Sequence, residues 1–440
     1  MGDRELANGR STFSAILRCS VLGSSLVLLA GCGGGSGGGG STGGGGATPS
    51  VVTFKFSVGT PTAVAARIGS GAFTAQALNS GTLSLTIPNG TANFAVAYVC
   101  TLPLGPQAQV PEQFVFEAST ADGSSFTEPC PVAVPSSQTG TFTGSVDASG
   151  IPGATLVDIA ASNGTSTAVA GAALNGAFSL VEPAGADRVM VLAYNNSQQG
   201  LLTSLVAAKN FTNQTVPGAL NGGSTVVLGA ADETTPQAIT YNNAPPGYSA
   251  PTTVVGFIMG GAGGFTVAAP ATTQYPALPA AAVQGGDFYK FLATVISSSK
   301  QGEEVLVLAN SSSGGPVTFT FPAPWSYRGP TPAALPNFNF AYTGFAGKPG
   351  VIESAAVGWV SGTGVSSFFE VDATANYQSG STALAFPDLS GVAGFQPAPT
   401  SGSPAVWTAE IVQFSAGATL TMPSNATGNA VANSGTYTVP

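Results

Sequence analysis

The sequence predicts an all-β protein: tandem small β-sandwiches followed by a larger β-sandwich domain, behind a signal peptide and a glycine-rich tether. Three observations predict it. Charged residues make up 7% of the chain and hydrophobic ones 43%, against roughly 25% charged in ordinary soluble domains. Disorder needs the opposite balance, low hydrophobicity with high charge. The 60 glycines and 32 prolines cut the chain into short runs that alternate apolar and polar residues, the period of a half-buried strand. One such run also recurs: Gly81, Leu83, Leu85, Pro88 and Gly90 return in step as Gly176, Phe178, Leu180, Pro183 and Gly185. The distance between the copies is a domain length, so two tandem copies of one small sandwich are expected.

The chain opens on a leader, residues 1–31. Arg4, Arg10 and Arg18 outweigh Asp3 and Glu5, and Cys19 to Ala30 is uncharged and mostly apolar. That run makes roughly 18 Å of helix, short of a hydrocarbon core of about 30 Å, so it reads as a cleaved signal peptide rather than a membrane span. Its end, Leu29, Ala30, Gly31 and Cys32, resembles the bacterial lipoprotein signal. The resemblance implies a diacylglyceryl group on the Cys32 thiol and acylation of the new amine, giving stable membrane anchoring. Residue 33 is Gly rather than Asp, which by the same resemblance favours the outer membrane. Residues 32–49 form the tether: Gly33 to Gly46 is glycine broken by Ser36, Ser41 and Thr42, a flexible coil spanning roughly 20 Å on average.

Composition narrows the chemistry. The net charge is −9, which repels phosphate backbones and makes nucleic acid an unsuitable partner. There are no histidines. That removes Ser-His-Asp and Cys-His catalysis and histidine metal sites. No cofactor and no metal ligand set is expected. After Cys19 and Cys32, two cysteines remain, and in an exported protein Cys100 and Cys130 are expected to form one structural disulfide.

The body begins near Ser50. Val52, Phe54, Phe56 and Val58 share one strand face, Leu83, Leu85 and Ile87 another, and Asn93 to Cys100 returns after a turn at Pro88, Asn89 and Gly90. Residues 50–138 are read as the first sandwich, with the disulfide, and 139–235 as the second. The second carries Gly144, Val146, Gly153, Ala154, Asn175, Gly176, Phe178, Leu180, Pro183, Gly185 and the run Val189 to Tyr194. These residues resemble the carboxypeptidase regulatory-like (transthyretin-like) sandwich. The resemblance implies an accessory or spacer domain without catalytic residues of its own.

Residues 236–440 hold all three tryptophans and read as one larger sandwich, with strands expected at 253–259, 264–268, 288–296, 304–309, 317–321, 355–360, 367–371 and 405–414. Gly260, Gly261, Gly263 and Gly264 lie between two of these and read as a hairpin turn rather than a phosphate loop. Ser297 and Lys300 match S-x-x-K but lack the companion motifs of serine penicillin-binding enzymes. Glu370 and Asp372, two apart on a strand, share a face and are the best carboxylate pair for a hydrolase. Trp325 and Tyr327, flanked by Pro322, Pro324 and Pro330, are the best candidate for an exposed sugar-stacking platform. Together these readings predict a lipid-anchored cell-envelope protein, a non-enzymatic structural or binding module held to the membrane, with a polysaccharide or another envelope protein as partner. The alternatives are a glycan-binding surface lipoprotein and a carboxylate-dependent hydrolase.

Overall fold

The computed structural model describes residues 50–57, 59–103, 109–130, 139–162, 167–196, 203–260, 263–299, 302–346, 348, 350–360, 366–415 and 427–440. Nearly all regular structure within them is strand, as the alternating runs predict. Cys32, Val58 and Lys300 lie outside the described residues.

The first unit contains β1 (Ser50–Ser57), β2 (Ala63–Ile68), β3 (Thr74–Ala75), β4 (Thr82–Ile87), β5 (Asn93–Pro103), β6 (Gln109–Ser119) and β7 (Ser125–Pro129). β1 lies between β4, antiparallel, and β7, parallel. In the facing sheet β2 pairs with β3 and β5, and β5 with β6, all antiparallel. Val52, Phe54, Phe56, Leu83, Leu85, Ile87, Phe94, Val96 and Phe116 fill the space between the sheets. Each comes from the apolar phase of its strand, so the period of two is what makes the sandwich.

The second unit repeats this wiring. Its strands are β8 (Thr139–Asp147), β9 (Leu156–Ser162), β10 (Thr167–Ala172), β11 (Asn175–Pro183), β12 (Gly185–Asn196), β13 (Thr203–Val216), β14 (Gly218–Ala219) and β15 (Val226–Val227). β8 lies between β11, antiparallel, and the parallel pair β14 and β15. β9 pairs with β10 and β12, and β12 with β13. Leu83 and Phe178, the matched residues of the sequence repeat, are both buried in their own cores. They differ in size, and so do their partners. Leu83 stands opposite Phe54, whereas Phe178 stands opposite Gly144. A Cβ on Gly144 would come within 2.5 Å of the Phe178 ring. The ring therefore occupies, from the neighbouring strand, the volume that Phe54 fills in the first unit.

Residues 236–440, expected as one larger sandwich, hold the same wiring twice more. The third unit has β16 (Thr235–Asn242), β17 (Thr252–Met259), β18 (Gly263–Ala271), β19 (Gln274–Ala277), β20 (Phe288–Ile296), β21 (Glu304–Ser311) and β22 (Val317–Thr320). β16 lies between antiparallel β19 and parallel β22. β17 pairs with β18 and β20, and β20 with β21. The fourth has β23 (Asn337–Asn339), β24 (Val351–Val360), β25 (Ser366–Thr374), β26 (Ala383–Ala385), β27 (Pro404–Phe414) and β28 (Thr427–Thr438). Here β23 pairs with β26, β24 with β25 and β27, and β27 with β28. No strand equivalent to β7 is present among its described residues.

The larger sheets of the four units join edge to edge into one sheet of 16 strands, in the unit order second, third, fourth, first. The junctions are β13 with β18, β21 with β28, and β25 with β6. The first and second units thus sit at opposite ends of the sheet, although only residues 131–138 separate Cys130 from Thr139 in sequence. Nine residue steps reach about 30 Å at most, whereas twelve strand spacings in a flat sheet cover about 58 Å. The sheet must therefore curl. One core accordingly gathers residues of all four units: Ala95 and Ala97, Met190 and Leu192, Phe257 and Phe291, Phe369 and Trp407. β5 and β12 are buried on both faces. Phe94, Val96 and Tyr98 face the first unit's own core, and Ala95 and Ala97 face the shared one.

The Gly144–Phe178 fit gives a direct test. Gly144→Ala should destabilise the second unit by about 1–3 kcal/mol. Adding Phe178→Leu should recover part of that loss, so the double variant loses less than the two singles combined. Thermal melting of the four proteins measures it. Strict additivity would show that the ring does not occupy the glycine's space.

Candidate functional site

Few charges exist in this chain, and the structure concentrates them where units meet. Along the junction of β25 with β6, successive rungs place Glu410 opposite Ser354, Ser354 opposite Asp372, and Asp372 beside Phe116. The next rungs place Glu370 beside Phe114, and Phe368 beside Glu112. Registered neighbours share a face, so Glu112, Glu370, Asp372 and Glu410 line one side, continuous with Phe116 and Tyr98 of the first unit's core. Glu128 of β7 joins them from the opposite sheet, accepting a hydrogen bond from the Tyr98 hydroxyl at 2.9 Å. The Ser354 hydroxyl donates to Glu370 Oε1 at 3.2 Å. Glu112, Glu128, Glu370 and Glu410 are each buried.

Burial sets their protonation. Removal from water pushes the Glu112 carboxyl up to about 7 and Glu410 up to about 8, the latter aided by Asp372 and Glu304. Asp372 rises to about 6 through burial, opposed by its hydrogen bond with Ser354. Burial, and then the neighbouring Asp372, hold Glu370 well above the ordinary range. Charged forms are disfavoured because they would stand together in a low dielectric. Among the described residues no three His, Cys, Asp or Glu side chains converge to hold a metal ion. The patch is thus a row of carboxylic acids of which Glu370 and Glu410 keep their protons near neutrality, while Asp372 is the first to lose its own.

The disulfide lies beside it. Cys100 and Cys130 are joined with Cα atoms 5.4 Å apart, both buried, and tie β5 to the residue that follows β7. Two arginines secure the outer units. Arg67 of β2 binds Glu117 at 2.5 Å and the Tyr377 hydroxyl at 2.6 Å, linking the first unit to the fourth. Arg188 of β12 grips Asp287 with two hydrogen bonds, at 2.6 and 2.8 Å, donates to the Ala282 carbonyl at 3.0 Å, and links the second unit to the third. Two parallel N–H···O contacts fix orientation as well as distance.

The residues singled out from sequence fall into place unevenly. Glu370 and Asp372 do share a face, but they stand side by side in a unit junction, not opposed across a cleft. Trp325 is 5% exposed. Its ring stacks on Tyr327 at 4.8 Å and on Phe340 at 5.4 Å, and Tyr327 meets Trp407 edge-on. The pair expected as an exposed platform belongs to the shared core. Glu112, Glu128, Glu410, Arg67 and Arg188 were not anticipated. A usable signal existed for Glu410: a lone acid inside the apolar run Val406 to Phe414.

No family model and no curated protein matches the chain. Among solved structures, the Bacillus anthracis TIE protein aligns at 10% identity, covering 82% of this chain and 62% of that one, with a TM-score of 0.13. A likeness that weak carries no argument.

A carboxyl whose folded pKa is raised keeps a proton that the unfolded chain has lost. The contribution of these acids is therefore fully present below the unfolded value of about 4.5 and is lost as pH rises through the folded values of about 6 to 8. The thermal midpoint should decline steadily from pH 5 to pH 8. Glu410→Gln, a neutral isostere, should raise the midpoint at pH 8 by roughly 2–4 °C or more and leave it nearly unchanged at pH 5. An equal effect at both pH values would contradict the assignment.

Proposed function

We propose that this chain is a lipid-anchored cell-envelope protein, acylated on Cys32 and held at the outer membrane, whose sandwiches act as a non-enzymatic structural or binding module. The observation that carries this reading is the placement of the carboxylates. Of the acids best suited to hydrolysis by sequence, Glu370 is buried and Asp372 half-buried in the junction that joins the first unit to the fourth. The resemblance of the second unit to accessory sandwiches supports the same reading, as does the glycine tether, which would let a rigid body stand off a membrane surface. Among the described residues no helix is long and apolar enough to cross a membrane, and the reading needs none.

The scaffold would present its sheet surfaces to a polysaccharide or another envelope protein. Cys32→Ser should move the protein from the membrane fraction to the soluble fraction and abolish incorporation of labelled fatty acid. A panel of glycan, ester and peptide substrates should show no turnover by the purified protein. Turnover lost on Glu370→Gln or Asp372→Asn, with melting unchanged, would overturn the non-enzymatic reading. Membrane retention of the Cys32→Ser protein would overturn the anchor.

A further inference from the structure

The second unit carries an edge that the rest of the fold does not use. Among the described residues β11 lies at the outside of its sheet, paired only with β8. All nine residues are in unbroken register with β8, without a bulge, and β11 is longer than any other terminal strand of the described sheets. Its one charged residue, Glu182, is turned inward and fully buried. Its outward residues include Ser179 and Val181, and Val181 is 63% exposed, the most exposed large hydrophobic residue in the structure.

Natural proteins guard such edges with lysines, prolines, bulges or short strands. The first unit does so. Its equivalent strand, β4, has six residues, and exposed Lys55 stands beside Thr82 on the adjacent strand. In the second unit the matching position, opposite Ala177, is Ser145. In β11 such guards stand only at its last two residues, the inward-turned Glu182 and Pro183, and the stretch from Asn175 to Val181 carries none. The chain already joins its units three times by edge pairing, so its backbone geometry suits that mode of contact.

We propose that β11 pairs antiparallel with β11 of a second copy of this chain, forming a two-fold dimer through the second unit. Pairing centred on Ser179 sets Ala177 against the partner's Val181 on the outer face and covers the exposed valine. The outward-facing N–H and C=O groups of alternate residues of β11 supply affinity, and the lack of exposed charge on β11 removes the repulsion that a net charge of −9 would otherwise impose.

The test uses the whole chain in mild detergent, with mass read by sedimentation at micromolar concentrations. The wild-type chain should be a dimer. Ser179 is exposed, so Ser179→Lys and Ser179→Glu should fold with unchanged melting. Each should weaken association roughly tenfold or more by placing like charges opposite each other, and mixing the two variants should restore the dimer. Ser84→Lys, at the equivalent position of β4, should leave association unchanged. A monomeric wild-type chain at tens of micromolar would overturn the proposal. So would a Ser179→Lys protein that stays dimeric, or a dimer disrupted by Ser84→Lys.

Discussion

An unpaired strand edge is a row of backbone donors and acceptors that must be satisfied by something, and this architecture is a set of answers to that requirement. Each small sandwich has a larger sheet with two edges. β13 and β6, the last strands of that sheet in the first two units, pair with β18 and β25 of the last two, and β21 pairs with β28. Only β3 and β10 are left as ends. The continuous sheet then dictates the shape. Its curl brings the outer faces of β5 and β12 against the third and fourth units, so these strands are buried on both sides. A strand buried twice must be apolar twice, which is why Val189 to Ala193 contains no polar residue.

Charge follows from the same enclosure. A junction between two sheets is dry, so an ion inside it is tolerated only with a partner or in neutral form. Arg188 with Asp287 and Arg67 with Glu117 are the first solution. Glu370 and Glu410 are the second, neutralised by their own protons. The two arginines are in equivalent outer units and reach inward to the central ones, so the scarce cations serve position more than solubility. Buried ion pairs of this kind contribute more to orientation than to net stability.

Some of this was legible in the sequence. The alternating strands β1, β4 and β17 announced themselves because one face is buried and the period is strict. The repeat of β4 in β11 was visible because both strands keep the same glycine and proline punctuation. The third and fourth units were hidden, since nothing in their residues repeats the pattern and the likeness is one of backbone pairing alone. Doubly buried strands blur the period, so sheet continuity leaves no alternation to read. Trp325 misled for a physical reason. Prolines mark an irregular segment, but an irregular segment can fold back over a core, and this one carries Trp325 against Phe340 and Tyr327 against Trp407.

The order of the units along the sheet has a kinetic consequence. β6 is made early in synthesis, yet its neighbour β25 lies far toward the other end of the chain. The first sandwich can close its own core at once, but its sheet edge and its acid-lined face stay uncovered until the fourth unit arrives. Contacts of such long sequence separation make folding slow, and during that interval an open edge is the species most prone to misassociation. Closure of the curled sheet waits for β25, and a chain interrupted before that strand would leave the edge of β6 bare.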